Sequence, residues 1–474
     1  MAMLVLMAQV PAAFAQTDHA NLSEDSPENP PSIYDAQHIL LENGLEVIVV
    51  TNKRMPIISQ HLFYRVGGMD DPVGKSGLAH LLEHMMFKGT ISVPDGNFSQ
   101  TISRLGGRDN AFTSQDYTGY FQTAPAAHLE TLMRLESDRM RNLNFDHVDF
   151  QASFLQERNV VIEERAQRTE NNPGARLVEQ ADPAFYLNHP YRKPIIGWPG
   201  ELEGLQLSDA RAFYDRFYHP NNAVLILVGD VDAGRVFELA RKYYGSIPRA
   251  QLADLPLYGD AVLAVESQVT LKDANVGLAQ YGMRIPADSY GALIVDTATG
   301  DYDADNQARY RDLLALELGL DMIAHGASSP LYRRMVVDQS LAVAVGGYAR
   351  LDQRGPGHIG FYLVPAKDIS LEQASALMHD AITDIVDHGL DQSMLDRARI
   401  RAFDRTDFAL DGLTGPARAI GQARMLGIPL SRVETMNADL AQLTLDQIRA
   451  VLVRHLAKSG RLITKLLPLS VDQP

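Results

Sequence analysis

The chain has 474 residues, 46% of them hydrophobic, which is enough for more than one core and too many for a disordered chain. Lys and Arg number 43 against 59 Asp and Glu, a net charge of −16 that argues against wholesale nucleic-acid binding. Cysteine is absent, which excludes disulfide scaffolds, thiolate zinc sites, iron–sulfur clusters and Cys nucleophiles together, and fits an oxidising compartment.

In chain order, Met1–Phe14 is mostly apolar and ends in Ala13-Phe14-Ala15, a small-x-small cleavage pattern. Residues 1–15 therefore read as a signal peptide, although no Lys or Arg supplies the usual basic start, and the expected location is exported, in a bacterial periplasm. Residues 16–33 are polar and Pro-containing and read as a leader. No later run approaches the roughly 18 apolar residues of a membrane span. Residues 37–50 predict two strands joined at Asn43-Gly44, a strong hairpin signal. Residues 57–66 predict a strand running into Gly67-Gly68, with a helix from about Ser76. Residues 110–122 are strand-like, residues 127–141 and 148–170 have helical period, and 222–231 predict a buried strand. Pro248, Pro256 and Gly259 mark a linker. Beyond it the pattern predicts a strand at 276–284, helices at 306–324 and 328–338, strands at 341–349 and 357–364, and helices to the end. Length alone suggests about three domains, but the pattern divides the chain in two: 34–248, a linker at 249–264, and 265–474. Strands followed by helices across short turns indicate α+β, and no strong residue-level repeat links the halves.

Gly74-Lys75-Ser76 lies between a strand and a helix, where a phosphate loop would sit. The glycine such a loop needs five residues earlier is Met69, and Asp70 and Asp71 would repel phosphate, so a glycine turn is the better reading.

The next helix carries His80-Leu81-Leu82-Glu83-His84. Residues i and i+4 share a helical face, so both imidazoles can reach one metal, and Glu83 on the same face can act on a bound water. This His-x-x-Glu-His order is the inverzincin signature. A surface pair or two core histidines would show the same pattern. A third ligand would come from a second helix, where Glu157 and Glu164 stand two turns apart on one face. Glu164 is also spaced to pair with Arg168 at i+4, the usual fate of such a residue. Val160-Val161-Ile162 suggests that this helix is substantially buried, where a carboxylate needs a partner.

Gly77 through Thr90, containing His80, Glu83 and His84, resembles the active-site helix of the M16 metallopeptidases (pitrilysin, insulin-degrading enzyme, mitochondrial processing peptidase). Glu157-Arg-Asn-Val-Val-Ile-Glu-Glu164 resembles that family's second-helix motif. Asn110-Ala111 with Asp116-Tyr117-Thr118 resembles its substrate-binding edge strand. His189-Pro190-Tyr191 with Gly197, and Tyr218 through Ala223 with Gly229-Asp230, resemble its later landmarks. The resemblance implies two similar domains, each a mixed, largely antiparallel sheet packed with helices. It implies one Zn2+ per chain held by His80, His84 and Glu164, with Glu83 as general base and Glu157 orienting the site. Asn110, Ala111, Phe112 and Thr113 would receive an extended peptide as an added strand.

One segment departs from the family pattern. The C-terminal half of such proteins usually carries Arg and Tyr seven residues apart, both acting on the substrate carbonyl. Here those positions are Val336 and Val343, neither of which donates a hydrogen bond. The resemblance therefore implies a zinc endopeptidase for unfolded peptides or small polypeptides in an enclosed chamber, acting as the zinc-bearing subunit of a heterodimer whose related partner supplies the Arg and Tyr. A homodimer using Arg333 or Arg334 is the alternative, and a non-catalytic assembly subunit is the rival reading from a different class.

Overall fold

The computed structural model describes residues 32–94, 96–252, 263–296 and 299–469. The signal-peptide reading, nearly all of the leader and most of the expected linker lie outside the described residues. The first half runs through β1 (Gln37–Leu40), β2 (Glu46–Thr51), β3 (Ile57–Tyr64), α1 (Leu78–Met85), α2 (Asn97–Arg104), β4 (Arg108–Thr113) and β5 (Thr118–Pro125). It continues with α3 (Leu129–Arg141), α4 (Phe150–Arg165), α5 (Pro173–Phe185), α6 (Pro199–Gly204), α7 (Leu207–Phe217), β6 (Ala223–Gly229) and α8 (Ala233–Tyr244). The second half opens with β7 (Glu266–Asp273), β8 (Gln280–Ala287) and a small ribbon, β9 (Val295–Asp296) with β10 (Asp301–Tyr302). Then come α9 (Ala304–Ala324), α10 (Pro330–Tyr332), β11 (Ala342–Arg350), β12 (Gly357–Pro365) and α11 (Leu371–Asp384). It ends with α12 (Gln392–Asp411), α13 (Thr414–Leu426), α14 (Leu430–Gln442), α15 (Leu445–Leu456) and β13 (Arg461–Pro468).

Two sheets organise these elements, in the orders β1-β2-β6-β3-β5-β4 and β11-β12-β8-β13-β7. Each is antiparallel except for one parallel pair, β2 with β6 and β7 with β13. With β1 set aside, both sheets place the first strand of the half beside its last, then the second, fourth and third. The two α+β domains are thus similar in topology, although the residues show no strong repeat, and β4 and β11 are equivalent edge strands. The length prior of about three domains is corrected to two sheet-centred units.

Hydrophobic pattern explains most of the placement. β6 reads Ala-Val-Leu-Ile-Leu-Val-Gly and is buried throughout, as a central strand covered on both faces must be. On one face of the first sheet, Val47, Val49, Leu225 and Leu227 pack with residues of α1, α3, α4, α7 and α8. On the other face, Ile48, Val50, Phe63, Val224, Ile226 and Val228 pack against Ala417, Ile420 and Met425 of α13, which comes from the second half. The exchange is reciprocal. Leu177, Ala181 and Phe185 of α5, from the first half, lie near Val269 and Leu271 of β7 and Leu462 and Leu466 of β13. The halves are therefore interlocked rather than tethered. A buried polar contact reinforces them: Arg354 Nη1, in the β11–β12 loop, donates to Asp70 Oδ2 at 2.9 Å and to the Asp116 carbonyl at 3.1 Å.

Four expected elements differ. Residues 110–122 form two strands, because Ser114 Oγ accepts from the Asp116 and Tyr117 amides and turns the chain back. The strand expected at 276–284 is β8, shifted to start at Gln280, and β7 before it was absent from the sequence reading. The expectation of helices to the end is corrected by β13, which is central to the second sheet. Finally, the 148–170 helix is less buried than expected: Val161 is enclosed, but Val160 is 43% exposed.

Candidate active site

The site begins with how α1 starts. Asp71 Oδ2 accepts from the Gly77 amide and Oδ1 from the Ala79 amide, both at 2.8 Å, capping two of the donors that a helix N-terminus leaves unpaired. Gly77 has φ +86° and Gly197 φ +90°, and a Cβ on Gly197 would come within 2.5 Å of the Ser76 carbonyl oxygen, so both positions need glycine. Leu78, Ala79, Leu81, Leu82 and Met85 then enter the core. The 3.6-residue period leaves His80, Glu83 and His84 on the remaining face. In α4 the buried stripe is Phe150, Phe154, Glu157, Val161 and Arg165. Its apolar members pin the helix to the core, and α4 brings Glu157 and Glu164 against α1.

The structure brings the expected ligands together. His80, His84 and Glu164 each offer a donor atom, and these atoms lie within 4.8 Å of one another. Glu164 Oε2 is 3.8 Å from His80 Nε2 and 3.5 Å from His84 Nε2. Two donors at about 2.1 Å from a tetrahedral zinc ion stand roughly 3.4 Å apart, so the donor set and its spacing fit zinc. Glu157 Oε2 is 3.0 Å from His84 Nδ1, which directs His84 Nε2 toward Glu164, and Glu157 Oε1 pairs with Lys88 Nζ at 2.7 Å. Thr113 Oγ1 donates to Glu83 Oε2 at 2.5 Å.

Burial and the neighbouring carboxylates act against each other at the two histidines. Burial alone would lower the His84 pKa, but hydrogen bonds to Glu157 and Glu164 outweigh it and push it up to about 9. Burial, with the neighbouring His84, holds His80 down at about 4 against the pull of Glu164. Burial raises the Glu83 carboxyl against the opposing Thr113 hydrogen bond. Glu157 is held below the usual carboxylate range because its bonds to His84 and Lys88 overcome burial.

The proposed substrate edge is adjacent. Among the described residues β4 pairs only with β5, which leaves its other side without a strand partner. The Ala111 amide is met there by its neighbour's side chain, Asn110 Oδ1, at 2.8 Å. Thr113 reaches Glu83, whereas the Phe112 ring turns to the opposite face and packs edge-on against Phe63 and Tyr117. An open groove along α4, lined by Gln156, Asn159, Val160, Glu163, Glu164 and Gln167, reaches the site. The Gly74-Lys75-Ser76 turn is structural: Lys75 Nζ pairs with Asp209 at 2.8 Å, and Ser76 Oγ accepts from the Trp198 amide at 2.9 Å.

Sequence reasoning missed Asp71 and Lys88. Lys88 follows His84 at i+4 and was open to detection as a charge near the helix end, whereas Asp71 acts on an amide six positions further on, across a turn with no periodic signal. Val336 lies in the helical turn Arg333–Asp338, and Val343 is 51% exposed on the edge strand β11. Between them Ser340 adopts φ +51°.

Two sequence models of one family match this chain: Insulinase (Peptidase family M16) over residues 47–197, and Peptidase M16 inactive domain over residues 204–401. The second match opens inside the first structural half, since β6 lies between β2 and β3 in the first sheet. The chain is 36% identical over 221 residues to the zinc protease PqqE of Helicobacter pylori, covering 46% of this chain and 49% of that protein. It is 24% identical to an uncharacterized zinc protease of Streptomyces coelicolor, covering 87% of this chain and 85% of that one. In the Helicobacter relative the match spans about half of the length. A protease from Helicobacter pylori of known crystal structure superposes with a TM-score of 0.81 at 25% identity, covering 93% of this chain and all of that one. The periplasmic protease PqqL of Escherichia coli shares the fold, with a TM-score of 0.74 at 19% identity, and the match covers 48% of its chain. Two matched models and relatives named zinc proteases, over a fold with the same two similar halves, place this chain in the M16 family of peptidases.

Proposed function

We propose that this protein is a zinc-dependent endopeptidase acting on unfolded peptides or small polypeptides, with His80, His84 and Glu164 as the metal ligands and Glu83 as the general base. The observation that carries the reading is the meeting of three donor atoms, from two helices, beside a second carboxylate, Glu83, held by Thr113. Zinc bound there supplies Lewis acidity and acidifies water at the position that two histidines and one glutamate leave open. This chain's residues do the rest. Glu83, whose proton affinity burial raises, takes a proton from the attacking water and delivers it to the leaving amine nitrogen. Glu157 keeps the His84 ring in the required tautomer. The open edge of β4 receives the peptide backbone at Asn110–Thr113, with Asn110 Oδ1 yielding the Ala111 amide to a substrate carbonyl. Of these four residues, Phe112 turns its ring to the opposite face and its backbone to β5, so it lines the edge without bonding the peptide. Binding of this kind reads main chain more than side chain, which favours broad specificity.

The chain works in this reading as the zinc-bearing subunit of a heterodimer. Valine at 336 and 343 leaves the substrate carbonyl without the donors that the family supplies, and a related subunit with Arg and Tyr seven residues apart would replace them. The fold match to only 48% of PqqL is consistent with a chain that supplies half of a larger enclosure. The homodimer alternative is weakened at Arg334, which pairs with Asp384 at 2.5 Å. Among the described residues no helix is long and apolar enough to cross a membrane. We extend the reading to an exported, periplasmic enzyme, which the cysteine-free composition supports.

The test is Glu83→Gln. Peptide hydrolysis should fall by at least about 100-fold while zinc remains at one per chain. Near-normal turnover removes Glu83 from the mechanism, and purified protein that takes up no zinc favours a non-catalytic assembly subunit. Peptidase activity of the isolated chain that a partner with the Arg and Tyr does not raise would rule out the heterodimer.

A further inference from the structure

Glu164 divides its two carboxylate oxygens between different partners. Oε2 faces the two histidine Nε2 atoms, whereas Oε1 carries the Arg168 guanidinium at 2.6 Å. The i+4 pairing and the histidine cluster are thus not alternatives, because each uses one oxygen. Arg168 lies in the turn Ala166–Glu170, where α4 continues with a wider helical repeat. That turn is held firmly. Arg165, whose side chain is only 4% exposed, grips Glu179 with Nη1 and Nη2 at 2.7 and 2.8 Å. Its Nη1 also donates to the Gly197 carbonyl at 2.7 Å. Gly197 in turn abuts Ser76 and Gly77 at the start of α1. One buried arginine therefore ties the backbone that presents Arg168 to the loop against which the histidine helix begins.

We propose that Arg168 is a positioning residue for the metal ligand set: it occupies Oε1 so that Glu164 offers a single oxygen. This rests on the zinc reading above. A carboxylate with both oxygens free can bind a cation through one or both of them. A two-oxygen grip by Glu164 would consume the open position on which water activation depends. The ion pair also fixes which oxygen turns toward the histidines, so less carboxylate rotation is lost when metal binds. The Arg168 end of the pair is 53% exposed and the Glu164 end 17%, so the contribution to folding is small and is read separately from the metal effect on the metal-free protein.

The experiment compares the full chain with Arg168→Ala and Arg168→Lys. Zinc affinity is measured by competition with a chromophoric chelator, and the visible spectrum is recorded after replacement of zinc by cobalt(II), whose d–d absorption weakens as coordination rises from four to five. Arg168→Ala should bind zinc about 10- to 100-fold more weakly and show a weaker cobalt band, with Arg168→Lys in between. The unfolding midpoint of the metal-free proteins should be the same. Zinc affinity and cobalt spectrum unchanged in Arg168→Ala overturn the inference while leaving the zinc site intact. A loss of affinity matched by a lower metal-free midpoint overturns it in favour of a structural role. A wild-type chain that takes up neither metal overturns the zinc reading and this inference with it.

Discussion

Replacing Glu157 with Gln perturbs the site while leaving every proposed ligand in place. Glu157 makes two charge-assisted contacts, one to His84 Nδ1 at 3.0 Å and one to Lys88 Nζ at 2.7 Å, and its side chain is 11% exposed, so water cannot readily substitute. Glutamine keeps the shape and one acceptor oxygen. Its amide nitrogen must then face either the histidine N–H or the lysine ammonium, a donor against a donor. One charge-assisted hydrogen bond is lost and the other weakened, a cost of about 1.5–3 kcal/mol. At about 1.4 kcal/mol per factor of ten, zinc should bind roughly 10- to 100-fold more weakly. Part of the cost falls on the metal-free protein, since Lys88 is 22% exposed and loses its counterion. The assay therefore has two arms: chelator competition for zinc affinity, and denaturant unfolding in excess chelator for the metal-free stability. Weaker zinc binding beyond any change in metal-free stability supports the orienting role. Zinc affinity equal to wild type in Glu157→Gln refutes it, and would mean that packing alone holds the His84 ring.

Two further predictions concern the scaffold. His61 is buried against Phe63 and Phe121, and burial, aided by the Arg418 charge, holds its pKa down at about 3. Its stabilising contribution is complete above the unfolded histidine value of about 6.5 and is lost as pH falls below it, so His61→Phe should remove about 2 kcal/mol of the stability lost between about pH 6.5 and 4.5. Identical acid slopes in denaturant titrations of the two proteins would show that His61 is not the titrating group. Gly421 of α13 meets the Phe63 ring so closely that an added Cβ would stand 2.2 Å from a ring carbon. Gly421→Ala should cost about 1–3 kcal/mol by equilibrium unfolding, and an unchanged midpoint would show that the halves do not press together there.

Legibility followed the range of the interactions. The hairpin at Asn43-Gly44 was readable because turn chemistry is local, and Gly44 takes φ +88° there as such a turn requires. α9 was readable because 21 residues of helical sequence begin at an Asp303 cap. α5 carried a start signal of the same kind, Asn172 as cap and Pro173 in the first turn, which sequence reading passed over. β7 and β13 form the parallel pair of the second sheet and were both missed. β7, at the edge of its sheet, carries Glu, Gln, Lys and Asp among its eight residues, so its alternation has little contrast. β13 reads as a short mixed run until β8 and β7 flank it.

The sequence by itself determined which side chains could act as a set. His80, Glu83 and His84 share one face of α1, and Glu157 and Glu164 one face of α4, because helical period is a property of the backbone and needs no distant partner. Only the tertiary structure decided that these two faces meet, that Asp71 caps α1, and that Glu164 turns one oxygen toward the histidines and the other toward Arg168. It also decided that α5 and α13 each cover the other half's sheet. Those outcomes depend on burying apolar surface between segments hundreds of residues apart, as where α13 closes over Phe63, and no local pattern encodes which surface will find which.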